Sequence, residues 1–198
     1  MFVDILKKYN VILASRSSRR RELLKGLDIL FTTAPDYEVD ETYPESMRLL
    51  DVPSYLAESK SNAYPKPLAE NDILITADTL VVCENELLGK PKDRDDAIRI
   101  LQKLSDNKHE VLTGVCIRSA EKKRLFDVST YVYFHRLSKS EIEYYVDNYE
   151  PYDKAGAYGV QEWIGYIGVE RIEGSYYNVM GLPVQRLYSE LMEFLDEQ

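Results

Sequence analysis

The sequence predicts an α/β protein with a mixed β-sheet. Two observations indicate this class: β-rich runs joined by short turns, which are typical of antiparallel hairpins, and helical patterns that separate other β-rich runs. This combination favours a mixed sheet over a strictly parallel one. With 198 residues, the chain has the length of one large domain or two closely joined lobes, and it can bury a substantial core without disulfides.

The first half of the chain alternates strands and helices. An apolar run over 11–14 predicts a strand, and the serine-rich turn 15–18 leads into a helix that begins with three arginines. The next predicted segments are a strand at 31–34, an acidic connection at 35–53, a helix at 54–64, β-rich runs at 72–76 and 80–83, and a hairpin turn at 84–86 before Leu87 and Leu88.

The second half continues the pattern. Asp93 is the predicted N-cap of a helix with apolar residues at Ala97, Ile98, Ile100, Leu101 and Leu104. Strands are predicted at 110–118 and 125–134, and capping-box spacing from Ser138 to Glu141 predicts a short helix. Gly156, Gly159, Gly165 and Gly168 indicate loop and strand, and Pro183 opens a last helix whose apolar face includes Val184, Leu187, Leu191 and Leu195.

Composition and charge exclude several classes of protein. The net charge of −9 argues against a nucleic-acid binder with a broad basic surface, because such binding rests on many phosphate contacts. No stretch of 18 apolar residues occurs, so we expect a cytoplasmic protein without membrane contact. Cys83 and Cys116 are far apart and lie in strand-like segments, which predicts two buried, reduced thiols.

The arginine run is an electrostatic anomaly. Arg19, Arg20 and Arg21 begin a helix, where the partial positive charge of the N-terminus already favours acidic residues. A strand-turn-helix junction with serines and guanidinium groups is suited to holding phosphate oxygens, but a solvated basic turn is equally compatible with this segment. By contrast, residues 36–51 contain six acids against Arg48 alone, which indicates either a solvated loop or carboxylates for a cation.

Three further residues could carry chemistry. Asp78 lies between two apolar runs, where it is either a turn aspartate bonded to its own backbone or a base or metal ligand. Lys90, between Gly89 and Pro91, suits a phosphate and is also common in exposed turns. Lys60, judged by itself, is typical of a helix surface.

The segment 150–161 combines small residues, which permit close backbone approach to a ligand, with Gln161, whose amide offers a donor and an acceptor. His109 and His135 show no zinc or triad spacing, and we interpret both as structural. The sequence contains no Walker A motif, no Rossmann glycine fingerprint and no Gly-x-Ser-x-Gly elbow.

Together these segments resemble the Maf family of nucleotide pyrophosphatases. The matching blocks are 13–24, 77–82, 88–93, 109–115, 150–161 and 176–183, so the resemblance covers nearly the whole chain. One departure is Ser18, where the family usually has proline. Proline would stiffen the turn, so its absence loosens the expected phosphate cradle slightly without removing a side-chain contact.

The resemblance implies hydrolysis of a nucleoside triphosphate between the α and β phosphates, which gives a nucleoside monophosphate and pyrophosphate. It also implies a fold like that of the Maf and inosine-triphosphate pyrophosphatases, with an elongated mixed β-sheet, flanking helices and a cleft between two lobes. Residues 1–198 would form a single domain of this kind, and the protein would be a homodimer.

The resemblance also assigns roles to residues of this chain. It implies that Asp78 is the proton acceptor. It implies phosphate contacts at Ser15, Arg20, Lys60 and Lys90, with Lys90 counted as catalytic beside Asp78, and a part in substrate choice for Arg19, Thr79 and Gln161.

A divalent metal cation, Mg²⁺ or Mn²⁺, is the expected cofactor, because triphosphate hydrolysis depends on positioning and charge neutralisation. Since an ordinary aspartate is a weak base, Asp78 either becomes more basic through burial or acts by orienting water and holding the metal. Glu41 is the expected second metal carboxylate, with Asp40 as a weaker candidate.

Within the family, the run from Ala157 to Gln161 resembles the branch that acts on dTTP and UTP rather than the branch that acts on 7-methyl-GTP. A glutamine amide can accept from the N3–H of thymine or uracil and donate to O4, a pair that cytosine reverses in part, so we expect poor hydrolysis of CTP. Two alternatives stay open: modified substrates such as 5-methyl-UTP or pseudo-UTP, and a nucleotide-binding regulatory protein linked to cell division with little catalysis.

Overall fold

The computed structural model describes residues 2–196 and has a mixed α/β architecture, as predicted. The helices are α1 (Phe2–Leu6), α2 (Ser18–Lys25), α3 (Val52–Asn62), α4 (Arg94–Leu104), α5 (Lys139–Tyr149), α6 (Trp163–Gly168), α7 (Tyr176–Met180) and α8 (Val184–Asp196). The strands are β1 (Asn10–Leu13), β2 (Phe31–Thr33), β3 (Asp72–Cys83), β4 (Glu86–Leu88), β5 (Lys108–Arg118), β6 (Lys123–Phe134) and β7 (Val169–Glu173).

The strands form one seven-stranded sheet in the order β2-β1-β3-β5-β6-β7, with β4 paired to β3. Strand β1 is parallel to both β2 and β3, whereas β3–β4 and β6–β7 are antiparallel pairs. The predicted mixed sheet is therefore confirmed. Its tightest hairpin joins β3 to β4 through Glu84 and Asn85, which have φ values of 51° and 62°, the left-handed conformation that a two-residue turn of this kind needs.

The chain divides into two compact units. Unit 1 comprises the chain up to Asp78, Thr113–Val128 and the chain from Gly181 onward, and unit 2 comprises Thr79–Leu112 and Ser129–Met180. In unit 1, the apolar strand β1 and the part of β3 up to Asp78 supply much of the buried surface. In unit 2, a large buried cluster joins α4, α5 and the strands around them.

Local signals explain where several helices begin. The side chain of Asp93 accepts a hydrogen bond from the Asp96 N–H at 2.9 Å and caps α4, as predicted. Ser138 and Glu141 form the predicted capping box at the start of α5. Helix α8 follows Pro183 and buries the predicted apolar face, Val184, Leu187, Leu191 and Leu195.

Other elements differ from the expectations. Strand β3 runs without a break from Asp72 to Cys83, so Ala77, Asp78 and Thr79 belong to the strand, which lies between β1 and β5 in the sheet order. Gly165 and Gly168 lie in helix α6 rather than in loop or strand. A Cβ at Gly165 would lie 1.9 Å from the carbonyl oxygen of Val160, so close packing explains this glycine.

Cys83 and Cys116 are buried free thiols, as predicted. None of the helices within residues 2–196 combines the length and the apolar composition that a membrane crossing requires.

His109 belongs to the interior of unit 2, which confirms its structural interpretation. Its Nε2 atom lies 2.7 Å from the Tyr158 hydroxyl, and its ring packs edge-on against Phe134 with the centroids 5.2 Å apart. Burial lowers the pKa of His109 from 6.5 to about 3.

This burial predicts a pH dependence of stability. Between pH 6.5 and about 3 the unfolded chain protonates His109 while the folded protein does not. Acidification therefore removes stability there, by up to about 1.4 kcal/mol per pH unit from this residue. Urea unfolding of the wild type and His109→Gln from pH 7 to 4 measures the effect, and the variant should lose less stability. Parallel curves for the two proteins would contradict the prediction.

Candidate active site

The turn between β1 and α2 has the predicted strand-turn-helix form. The Ala14 N–H donates to the Ile75 carbonyl at 2.9 Å, which ties the end of β1 to β3. Ser17 is the N-cap of α2 and accepts from the Arg20 N–H at 3.3 Å, while the Ser17 N–H donates to Ser15 Oγ at 3.2 Å. The first turn of α2 contains no acidic residue, so the arginine anomaly is present in the folded protein.

Arg20 joins three segments of unit 1. Its Nε donates to the Gly181 carbonyl at 2.7 Å, and a terminal nitrogen donates to the Ala77 carbonyl at 2.8 Å and to Ser15 Oγ at 3.5 Å. The pKa of the Arg20 guanidinium is lowered, mainly because the side chain is buried. The positive charge of Arg19 adds to the lowering, and the carboxylates of Asp78 and Glu41 oppose it. Arg20 therefore fixes the β1–α2 turn next to the middle of β3, in addition to any phosphate contact.

Asp78, Lys60 and Glu41 form a charged cluster in unit 1. The Lys60 ammonium contacts Asp78 Oδ1 and lies 3.0 Å from Glu41 Oε1. The side chains of Lys60 and Asp78 are only 16% and 13% exposed, whereas that of Glu41 is 58% exposed. The interpretation of Asp78 as a turn aspartate is therefore wrong: it is a strand residue whose carboxylate pairs with a lysine from another element.

The elements that carry this cluster explain its position. Lys60 lies in the last turn of α3, and the Tyr37 hydroxyl donates to its carbonyl at 2.8 Å. Asp78 is held by the sheet through β3. Asp40 does not join the cluster: its Oδ1 accepts from the Thr42 N–H at 2.9 Å, and this bond lowers the pKa of the carboxyl.

The other predicted site residues belong to unit 2. Thr79 follows Asp78 in β3 and is half-buried, and Lys90 is exposed after Gly89. The Gly89 carbonyl accepts from the Gly156 N–H at 3.2 Å, so the segment before Lys90 is bound to the glycine-containing loop.

Gln161 follows a buried stretch of that loop. Residues 156–160 are all buried, and Gly156 has a φ of 72° and packs against Val81, where a side chain would be strained. The Gln161 Oε1 atom is buried and has no hydrogen-bond partner among the described residues. Such an acceptor costs free energy until a donor reaches it, which fits a role in ligand binding.

The family model for Maf-like proteins matches residues 10–194. The chain belongs to the Maf family. Relatives named dTTP/UTP pyrophosphatase include those of Parabacteroides distasonis, 53% identical with 97% of this chain and 100% of the relative covered, and Porphyromonas gingivalis, 50% identical with 97% and 98% covered. The corresponding protein of Bacteroides thetaiotaomicron is 50% identical, with 94% and 96% covered.

Two solved structures are also similar to this Maf-family chain. A HAM1 protein from Coxiella burnetii has a TM-score of 0.48 and 15% identity, with 93% of this chain and 99% of that chain covered. A nucleoside-triphosphatase, dITP/XTP pyrophosphatase, from Mycobacterium abscessus has a TM-score of 0.45 and 14% identity, with 95% and 97% covered.

The predicted site residues of this Maf-family chain fall into two sets, one in each unit. Unit 1 contains Ser15, Arg19, Arg20, Glu41, Lys60 and Asp78, and unit 2 contains Thr79, Lys90 and Gln161. In unit 1, hydrogen bonds or ion pairs join Ser15 to Arg20 and Asp78 to Lys60 and Glu41.

One polar network near Gln161 is absent from the sequence predictions. Lys154 is 8% exposed, and its ammonium lies 3.1 Å from Glu162 Oε1 and 2.7 Å from Asp153 Oδ1. The hydroxyl of the buried Tyr145 donates to Glu162 Oε2, and burial raises the pKa of that phenol. The sequence signal for this network is a lysine and a glutamate that flank a run of small and apolar residues.

Proposed function

We propose that residues 1–198 form a single domain that hydrolyses dTTP and UTP to the nucleoside monophosphate and pyrophosphate. Membership of the Maf family and the names of relatives at about half identity over nearly the whole chain support this activity. The structural observation that carries the proposal is the little-exposed Asp78 carboxylate paired with the Lys60 ammonium. Positioned charges of this kind are the main requirement for phosphoryl chemistry.

In the proposed reaction, the oxygen of a water molecule bonds to the α-phosphorus while the bond from this phosphorus to the bridging oxygen breaks. Pyrophosphate leaves with that oxygen, and Asp78 orients the water and accepts its proton. Lys60 holds the Asp78 carboxylate in place through the ion pair. Ser15, Arg20, Lys60 and Lys90 are the proposed phosphate contacts, and Arg19, Thr79 and Gln161 the proposed residues of substrate choice.

A divalent cation, Mg²⁺ or Mn²⁺, is part of the proposal. Asp78 and Glu41 both contact Lys60 Nζ, and carboxylate oxygens are among the ligands that these metals prefer, so these two side chains are the proposed metal-holding residues. Among the described residues, no group of three or more His, Cys, Asp or Glu side chains is arranged to hold a metal. The protein would therefore supply these two carboxylates, and phosphate oxygens and water the other ligands. The metal would neutralise phosphate charge.

The proposed choice of base rests on Gln161. Its buried, unpartnered Oε1 can accept from the N3–H of uracil or thymine. Cytosine has no N3–H, so CTP would leave the acceptor unpaired, a penalty of about 1 to 3 kcal/mol. 5-Methyl-UTP and pseudo-UTP present the same edge as UTP and are expected substrates as well.

A nucleotide panel tests both the activity and the choice of base. We expect pyrophosphate release from UTP and dTTP, a kcat/KM for CTP lower by about 10- to 100-fold because one acceptor stays unpaired, and no turnover with EDTA. Gln161→Leu should reduce the UTP/CTP ratio towards one. The panel should include 5-methyl-UTP, pseudo-UTP and 7-methyl-GTP, and preference for 7-methyl-GTP would contradict the proposed branch.

The alternative is a regulatory protein linked to cell division that binds the nucleotide with little turnover. It predicts saturable UTP binding without pyrophosphate release, so the same assay separates the two functions. No structural observation favours it.

The proposed homodimer is tested by sedimentation velocity, and the cytoplasmic location stays a prediction from the sequence.

A further inference from the structure

We infer that Tyr145 and Glu162 are positioning residues for Gln161. Both belong to unit 2, and neither is among the proposed ligands of the nucleotide. The inference rests on the proposed function, because it assumes that Gln161 reads the base. It adds the groups that hold this glutamine in a base-reading conformation.

The Tyr145 hydroxyl joins the two ends of the turn that contains Gln161. It accepts from the Gly159 N–H at 3.0 Å and donates to Glu162 Oε2, so one phenol oxygen binds the first and the last residue of the segment 159–162. A backbone bond from the Glu162 N–H to the Gly159 carbonyl at 2.9 Å closes the same turn. Gln161 therefore lies inside a four-residue turn whose ends are fixed.

The Glu162 side chain folds back over Gly159. A Cβ at Gly159 would lie 2.7 Å from the Glu162 carboxyl carbon, so no larger residue fits there without moving the carboxylate. The Glu162 carboxylate also forms an ion pair with the buried Lys154 ammonium, at 3.1 Å. Although Glu162 is the N-cap residue of α6, its side chain makes no capping bond, because its oxygens are directed to Lys154 and Tyr145.

The ion pair between Lys154 and Glu162 is better explained by a need to fix side-chain positions than by a gain in stability. Apolar side chains of similar volume often stabilise a protein as much as a buried ion pair does, whereas an ion pair with hydrogen bonds allows fewer conformations. Tyr145 is fully buried in α5 and stacks on Tyr149 with the ring centroids 5.0 Å apart, so the phenol is held by the helix. The rigid phenol and the carboxylate together fix the turn backbone from which the Gln161 side chain extends.

Tyr145→Phe is the main test, because it keeps the ring and removes both hydrogen bonds. We expect the UTP/CTP ratio of kcat/KM to fall roughly tenfold, the effect of one weakened hydrogen bond to the base. The loss should appear as a higher KM for UTP with kcat little changed, since the reacting phosphate is not touched. Glu162→Leu should act in the same direction, and Glu162→Gln, which keeps an acceptor for Tyr145, should recover most of the ratio.

Asp147→Asn is the matched control. Asp147 forms a bidentate ion pair with Arg94 at 2.6 and 2.9 Å, in the same unit but outside the 159–162 turn. Its substitution should leave the UTP/CTP ratio at the wild-type value. Urea midpoints of all variants show which ones are folded. If Glu162→Leu does not fold, the UTP/CTP ratios of Tyr145→Phe and Glu162→Gln test the positioning role.

The outcomes separate this inference from the proposed function. If Gln161→Leu lowers the UTP/CTP ratio but folded Tyr145→Phe keeps it, the positioning role is overturned and base reading stands. If Gln161→Leu itself leaves the ratio unchanged, base reading fails, and the positioning role fails with it.

Discussion

Asp78→Asn is expected to lower kcat for UTP by about 10²- to 10⁴-fold, the range for loss of a general base, while UTP still binds. Asparagine has nearly the same size, and its amide oxygen can still accept from Lys60, which Asp78 contacts. The substitution removes the negative charge that orients the water and accepts its proton. Lys60 and Arg20 keep their positive charges, so the attraction of the triphosphate should be retained, although the metal would lose one of its two proposed carboxylates.

Pyrophosphate release gives kcat, and isothermal titration with UTP gives Kd for the inactive variant. Asp72→Asn is the matched control, since Asp72 lies at the start of the same strand and accepts from Asn10 at 3.0 Å. That variant should keep the wild-type kcat. A wild-type rate for Asp78→Asn would remove Asp78 from the mechanism, and loss of UTP binding would assign it to binding instead.

The basic start of α2 shows what the sequence can predict. Its serine cap, the apolar strand before it and the lack of acids in its first turn are all local features, so each can be recognised within a few residues. The capping box of α5 and the apolar face of α8 are predictable for the same reason. The family resemblance implies roles for residues whose own sequence context is ambiguous, such as Lys60.

The elements that differ from the predictions depend on contacts that the propensities of single residues do not describe. The sequence predicts a break at Ala77 to Thr79, yet β3 is one strand from Asp72 to Cys83, with β1 and β5 as its neighbours in the sheet order. The sequence predicts loop or strand at Gly165 because glycine usually marks such positions, whereas in the structure this glycine lets α6 approach the Val160 carbonyl. Neither the continuity of β3 nor the close approach of Gly165 to Val160 can be predicted from local propensity.

The charged cluster of Lys60, Asp78 and Glu41 consists of residues that the sequence analysis names, but their pairing is not predictable from the sequence. The sequence and the family resemblance point to Asp78, Lys60 and Glu41 but do not show that one ammonium contacts both carboxylates. The bonds from Tyr145 to both ends of the Gln161 turn were also hidden, because a tyrosine in an amphipathic helix has the appearance of an ordinary core residue. Recognising such a network requires the folded structure.

Gly114→Ala is expected to cause a large loss of stability. Gly114 lies in β5, and a Cβ there would lie 2.3 Å from the carbonyl carbon of Pro53 and 2.3 Å from the nitrogen of Ser54. These are backbone atoms at the start of α3, so the helix must shift to admit a methyl group. Overpacking of this kind costs about 3 kcal/mol, which lowers Tm by roughly 6 to 12 °C for a chain of this size.

The effect on α3 reaches the proposed chemistry, because the same helix holds Lys60 in its last turn. Urea and thermal unfolding measure the stability, and Gly89→Ala is the control. A Cβ at Gly89 would meet no heavy atom of the described residues within 4 Å beyond its chain neighbours, so its stability should change by less than about 0.5 kcal/mol. Equal urea midpoints for the two variants would show that α3 moves away from β5 at little cost, and the close packing would then not explain the glycine.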